Sequence, residues 1–175
     1  MRTSLIILAS VFIIFVSCST SQRDIDMEKI ASIEKQLIND STKLFNKKLA
    51  IDIIELYSDF SDNYPADSLS PLYLFKAGRL TMNMNNGNKS IAFFDKIINQ
   101  YPNSEKVPET IFLSAFVYEN LLNDDQHAKQ MYLKFMKLYP NNVLYKDAKA
   151  SIANMGKSLD EIIKGFEKTQ PSKAL

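Results

Sequence analysis

The dipeptide Tyr-Pro occurs three times in this chain at nearly constant spacing, and this feature limits the fold more than any other. The prolines are Pro65, Pro102 and Pro140, which lie 37 and 38 residues apart. Proline has no amide hydrogen with which to continue a helix, and it disfavours helical conformation in the residue before it. Each Tyr-Pro therefore predicts the end of a helix. The regular interval predicts a chain built from repeated units of similar length.

Residues of matched size recur in phase with these prolines. A small residue stands thirteen positions after each proline, and a large apolar residue stands five positions before it. Small side chains let neighbouring helices approach closely, and large ones fill the space beside them. We therefore expect these positions to form the contacts between helices. The small positions are Gly78, Ala115 and Ala153, with Ser41 one period earlier and Ala128 at a second small site, and the large positions are Phe60, Ile97 and Phe135.

Between the prolines, apolar residues recur at steps of three, four and seven, as they do on one face of an α-helix. No stretch shows the sustained alternation that a half-buried β-strand requires. We therefore expect an all-α fold of three to four stacked helix pairs, arranged as an α-α superhelix. The predicted helices cover residues 26–44, 48–63, 70–84, 88–100, 108–121, 125–138, 143–155 and 159–168.

The first eighteen residues are typical of a bacterial lipoprotein leader. Arg2 is followed by an apolar run that fits the central region of a signal peptide. A membrane-spanning helix would need about 20 such residues. The run ends in Phe15-Val16-Ser17-Cys18, which resembles a lipobox. The resemblance implies that a diacylglycerol is attached to Cys18, which is the only cysteine in the chain. The alternative is an uncleaved anchor or an ordinary signal peptide that ends in a chance cysteine.

These signals divide the chain into four parts. We expect a signal peptide at 1–17, a lipidated tether at 18–25, a repeat domain at 26–168 and a frayed tail at 169–175. Ser19 follows the cysteine, and this resembles the pattern that sorts lipoproteins to the outer membrane. A location on the periplasmic face of the outer membrane is therefore the first expectation, and display at the cell surface is the alternative.

The paired helices, the in-phase small residues and the closing proline resemble the tetratricopeptide repeat. The units here are longer than the usual 34 residues of that repeat, because the loop after Tyr-Pro is extended, as in Tyr64–Pro71. The longer form is similar to repeats in the lipoprotein of the outer-membrane β-barrel assembly machine. It is also similar to those in the C-terminal domain of the Tol–Pal coordinator. The resemblance covers about residues 30–168 and implies a surface that binds other proteins.

In such a repeat the first helix of each pair lines the concave side of the stack. The resemblance, counted from Gly78 and Ala115, places large apolar and polar side chains in this groove. Exposed aromatic residues there would indicate a partner, and an arginine or asparagine could bind a carboxylate or a peptide backbone. The alternative is that the aromatic residues are core, covered by the C-terminal helices. The predicted partner-binding residues are Phe75, Arg79, Met82 and Asn83 in the second repeat and Phe112, Phe116, Glu119 and Asn120 in the third, with Ile38, Thr42 and Phe45 in the first.

The chemical inventory favours a binding protein over an enzyme. His127 is the only histidine, and it lies near a predicted turn without a candidate nucleophile beside it. No metal-ligand spacing and no glycine-rich phosphate loop occurs, so we expect neither a metal nor a cofactor. The chain has 21 basic and 20 acidic residues and a net charge of +1, and the absence of a basic patch argues against nucleic-acid binding.

Two classes of function remain at this point. The first is a non-enzymatic adaptor that holds envelope proteins or peptides at the outer membrane, in its assembly or maintenance. The second is a lipoprotein that binds a small ligand or a cell-wall glycan in the same groove.

Overall fold

The computed structural model describes residues 20–39, 46–158 and 160–164, and all regular secondary structure in these ranges is helical. This confirms the predicted all-α superhelix of paired helices. A further helical turn covers residues 160–164, where Ser158 and Glu161 form a reciprocal capping box. The helices are α1 (Gln22–Asn39), α2 (Lys47–Asn63), α3 (Ser70–Asn83), α4 (Gly87–Gln100), α5 (Val107–Asn120), α6 (Asp125–Leu138) and α7 (Tyr145–Asn154).

The second helix of each pair ends where the Tyr-Pro stops predict. The tyrosine leaves the helical conformation with ψ between 53° and 60°, and its amide donates to the carbonyl four residues earlier. A residue followed by proline avoids the helical region, so the stop is fixed locally. The capping residues are Tyr64, Tyr101 and Tyr139, before Pro65, Pro102 and Pro140.

The loops after the three prolines share one geometry. In each loop a short polar side chain accepts a hydrogen bond from the amide two residues later. The distances are 2.8 Å at Asp67, 3.2 Å at Ser104 and 2.9 Å at Asn142. Such side-chain-to-backbone bonds hold a turn in one conformation. Because the same turn recurs, each helix pair follows the previous one with a similar offset.

Close packing within each pair follows the predicted small and large positions. Phe60, Ile97 and Phe135 are buried, and so are Ala115 and Ala128. Gly78 of α3 lies against the Phe94 ring of α4 so closely that an added Cβ would stand 2.3 Å from a ring carbon. The small residue therefore sets the distance between these two helices.

Three predicted positions differ from the structure or lie outside it. Ala153 is exposed, since the described residues after α7 do not form a helix that packs against it as α6 packs against α5. Ser41 lies outside the described residues. The predicted tether at 18–25 extends too far, because α1 begins at Gln22. Ser21 caps this helix, and its Oγ accepts from the Asp24 amide at 3.2 Å.

We predict that Gly78→Ala lowers the free energy of unfolding by about 1–3 kcal/mol, because its methyl group overpacks the buried Phe94 ring. The helix-propensity gain of about 1 kcal/mol that alanine brings offsets part of this loss. Urea denaturation of the purified domain measures the change. Asn83→Ala, at an exposed site in the same helix, is the control and should be neutral or slightly stabilising. Equal stability of Gly78→Ala and this control would contradict the packing argument.

Candidate functional site

An open pocket of about 390 Å³ lies between α1 and α3, with α2 behind it. The first helices of adjacent pairs form its walls, which places it on the concave side of the superhelix. Its lining combines two leucines with charged and amide side chains. The lining residues are Glu34, Leu37, Tyr57, Lys76, Arg79, Leu80 and Asn83.

A charged and hydrogen-bonded cluster joins the two walls of this pocket. The Lys76 ammonium lies 2.7 Å from the Glu34 carboxylate, and the Tyr57 hydroxyl donates to the same carboxylate at 2.5 Å. The Lys76 Nζ also stands 5.6 Å from the ring centroids of both Tyr57 and Tyr73, which stack on each other. This cluster ties α1 to the second helix pair, and it holds the pocket open at a defined width.

The cluster shifts the protonation equilibria of its members. Burial alone would raise the pKa of Glu34, but the hydrogen bonds from Lys76 and Tyr57 hold this pKa below its ordinary value of 4.5. Burial raises the pKa of the Tyr57 hydroxyl, and the bond to Glu34 raises it further. Glu34 is therefore ionised and Tyr57 protonated at neutral pH.

Arg79 and Asn83 stand at the open side of the pocket, and both are exposed. In the described part of the chain, no carboxylate lies within 4.0 Å of the Arg79 guanidinium. That guanidinium packs over the Phe75 ring at 5.8 Å instead, so it is partly fixed in place. An unpaired guanidinium next to Leu37 and Leu80 can bind an acidic group whose neighbouring residue is apolar.

The structure thus brings two of the predicted partner-binding residues, Arg79 and Asn83, into one pocket. It corrects the expectation that Phe75 is open to solvent, since this side chain is only 5% exposed. Phe75 precedes Gly78 by one helical turn and shares its face, so the ring points toward α4 and lies 6.3 Å from Phe94. Phe75 is therefore a core residue, and its ring packs under the Arg79 guanidinium. Met82 is half-buried against the core.

On α5 the predicted residues are divided between core and surface. Phe112 is half-buried, and its ring centroid lies 5.6 Å from those of both Tyr132 and Phe135 in edge-on arrangements. Phe116 is 39% exposed. Glu119 accepts a hydrogen bond from the Tyr132 hydroxyl at 2.8 Å.

Asn120 is exposed and donates to the carbonyl of Phe116, one turn earlier in α5. Of the four predicted residues on this helix, Phe116 and Asn120 are therefore the ones that present exposed side chains on the third repeat.

Sequence reasoning missed Glu34, Leu37, Tyr57, Lys76 and Leu80. By count from the prolines, Tyr57 is the counterpart of Phe94, which contacts the small residue Gly78. The counterpart of Gly78 in the first pair is the predicted small residue Ser41. The Tyr57 hydroxyl instead donates to Glu34, which lies seven residues before Ser41. Helix α1 therefore pairs with α2 in a register different from that of the second pair. Extrapolation from the repeat could not find this register. The predicted residues Thr42 and Phe45, and the side chain of Ile38, lie outside the described residues.

Other candidate chemistry is sparse in the described ranges. His127 lies in the first turn of α6, with its Nδ1 2.6 Å from the carboxylate of the N-cap residue Asp124, and it stacks on Tyr118. Within 20–39, 46–158 and 160–164, no group of three or more His, Cys, Asp or Glu side chains could hold a metal ion. None of the helices in these ranges has the length and apolar character that a bilayer crossing demands.

Residues 73–104 and 109–142 match the tetratricopeptide repeat. The two matched segments run from the body of α3 to the loop after Pro102, and from the first turn of α5 to the loop after Pro140, so each covers one helix pair. Such repeats generally serve as scaffolds for contacts between proteins, because stacking builds an extended concave surface. No curated protein matches the sequence.

We predict that Glu34→Gln lowers the free energy of unfolding by about 1 kcal/mol near neutral pH, because it removes the charge partner of Lys76. The folded-state pKa of Glu34 is depressed. Its stabilising effect is therefore full above the ordinary value of 4.5 and is lost as pH falls through the lowered pKa. The variant should consequently lose less stability than the parent on acidification.

Thermal unfolding measured from about pH 7 to about pH 3 tests this sign. Glu28→Gln, an exposed site on the same helix, is the matched control and should follow the parent curve. A variant whose acid sensitivity equals that of the parent would show that the cluster does not link α1 to α3.

Proposed function

We propose that this protein is a non-enzymatic, lipid-anchored scaffold of the bacterial envelope, which binds proteins or peptides in the concave groove during outer-membrane assembly or maintenance. The observation that carries the proposal is the pocket between α1 and α3, where an unpaired cation adjoins apolar side chains. A groove of this composition recognises a chain segment by one charge contact and one apolar contact.

The geometry supports a mode of binding. The Arg79 guanidinium would donate two hydrogen bonds to a carboxylate of the partner, and Asn83 would hydrogen-bond its backbone. Leu37 and Leu80 would cover an adjacent apolar side chain. The Glu34 carboxylate and the Lys76 ammonium already pair with each other, so they fix the spacing of the walls and need not separate on binding.

The next first helix offers a continuation of this surface. Phe116 is exposed on α5, where a longer partner segment could pack on its ring. The exposed part of Phe116 is available for contact, and aromatic side chains are enriched at protein interfaces. The proposed binding surface therefore runs from the pocket at α1 and α3 to Phe116.

The leader supports membrane attachment. If the lipid is on Cys18, only residues 19–21 separate it from α1, because this helix begins at Gln22. A tether of three residues spans at most about 10 Å. The N-terminal end of the repeat stack would therefore lie close to the headgroups, with the first pocket near the membrane surface. Attachment to the outer membrane, on its periplasmic face, accords with Ser19 after the cysteine.

We predict that Arg79→Ala combined with Asn83→Ala removes protein partners that co-purify with the lipidated protein from envelope extracts of its own cells. Loss of the charged and amide contacts should weaken binding by about ten-fold or more. Quantitative mass spectrometry of the eluate measures the loss. Lys129→Ala on α6 is the control, since its side chain is exposed and away from the pocket. Binding to purified cell-wall fragments without any protein partner would favour the glycan-binding alternative instead.

We predict that Cys18→Ser abolishes labelling of the protein by a radioactive or clickable fatty acid in cells, because the thiol is the attachment point for the lipid. Thr20→Ala should be labelled like the parent, since it leaves the cysteine in place. Undiminished labelling of Cys18→Ser would refute lipidation at this residue. The result is independent of what the groove binds.

A further inference from the structure

A second cleft lies between α2 and α4, the second helices of the first two pairs, and therefore on the outer side of the superhelix. It consists of two adjoining cavities of about 340 and 360 Å³. Ile51, Ile54 and Lys89 line both cavities, so they form one continuous depression. This surface shares no residue with the pocket between α1 and α3.

The middle of the cleft is apolar in a way that the repeat itself does not require. Ile51 is 47% exposed, above the buried side chains of Ile54 and Phe93. Counted from the Tyr-Pro stops, the counterparts of Ile51 in the next two repeats are Asn88 and Gln126, both polar and exposed. About half of Ile51 is covered by its own chain, and the exposed half gains stability only when another surface covers it.

Charged residues without ion-pair partners surround this apolar centre. Lys47 stands at one end of the cleft and Asp59 at the other, while Lys89 and Glu55 face its middle. In the described part of the chain none of the four has an oppositely charged group within 4.0 Å. Lys47 and Asp59 are twelve residues apart along α2, which corresponds to about 18 Å.

We propose that this cleft binds an amphipathic helix of a protein partner, whose apolar face covers Ile51 between an acidic residue at the Lys47 end and a basic residue at the Asp59 end. Two neighbouring helices leave a groove that the side-chain ridge of a third helix fills. The opposite charges at the two ends of the cleft give the bound helix a defined direction. The site does not depend on the concave pocket, so the protein can hold two partners at once.

Three synthetic helical peptides test this proposal by fluorescence polarisation with the repeat domain. Each carries the same leucine stripe, with charged residues about twelve positions apart at its two ends. The first has glutamate at one end and lysine at the other, the second has glutamate at both ends, and the third has lysine at both ends. The mixed-charge peptide should bind most tightly, by about two- to five-fold over each of the others.

Charge reversal in the cleft should change this order of affinity. Lys47→Glu should make the peptide with two lysine ends the tightest binder, and Asp59→Lys should do the same for the peptide with two glutamate ends. Ile51→Asn should weaken all three peptides by about ten-fold, since it places the residue of the second repeat at the centre of the cleft. Leu133→Asn, at a 50% exposed leucine on α6, is the matched control and should leave binding unchanged.

Other outcomes of these experiments would contradict the proposal. Equal affinity of the three peptides, or no change of order in the charge-reversal variants, would overturn the proposal. A dimer that sedimentation detects and Ile51→Asn dissociates would show that a second copy of the chain covers the cleft instead. Arg79→Ala should not affect peptide binding at this site, so failure here and failure of the concave groove are distinguishable.

Discussion

The contact between Gly78 and the Phe94 ring is the constraint on which the rest of the structure depends. A glycine at this point allows α3 and α4 to approach until a ring carbon would stand 2.3 Å from any added Cβ. The helical hairpin that α3 and α4 form is thereby held at one interhelical distance and one crossing angle. The third pair meets the same need with Ala115, which is fully buried. The second and third pairs can then stack, because they present similar surfaces to each other.

The turns convert this local packing into a continuous superhelix. Each tyrosine before a proline leaves the helix with nearly the same ψ, and each following loop closes with the same side-chain-to-amide hydrogen bond. A repeated turn of fixed shape sends every new first helix to the same side of the stack. The inner side therefore carries Arg79, Asn83 and Phe116, while the outer side carries Ile51 and its surrounding charges. The two proposed surfaces follow from one arrangement of hairpins.

The sequence predicted α2 to α6 to within one residue at each end. Proline disfavours helical conformation in the residue beside it, and the in-phase small residues determine packing within one helical turn, so both signals act locally. It was less successful at the start of α1 and where the outcome depends on tertiary register. Helix α1 begins four residues earlier than predicted, since Ser21 is a better cap than the composition of the tether suggested. Phe75 was expected in the groove because spacing alone does not separate a groove side chain from one that shares the face of Gly78. The equivalent tyrosine of the third pair, Tyr132, also donates to a glutamate, Glu119, but the repeat spacing does not predict Glu34 as the partner of Tyr57.

Site-specific photo-cross-linking in living cells tests most directly whether the inner side of the stack is the surface that meets a partner. A benzophenone amino acid at Asn83, on the open side of the first pocket, should form a defined adduct with another protein on illumination. The same group at Lys137, an exposed position on α6, should form none. An adduct from Lys137 with none from Asn83 would contradict the account, because the concave pocket would then face solvent while the partner occupies a different surface.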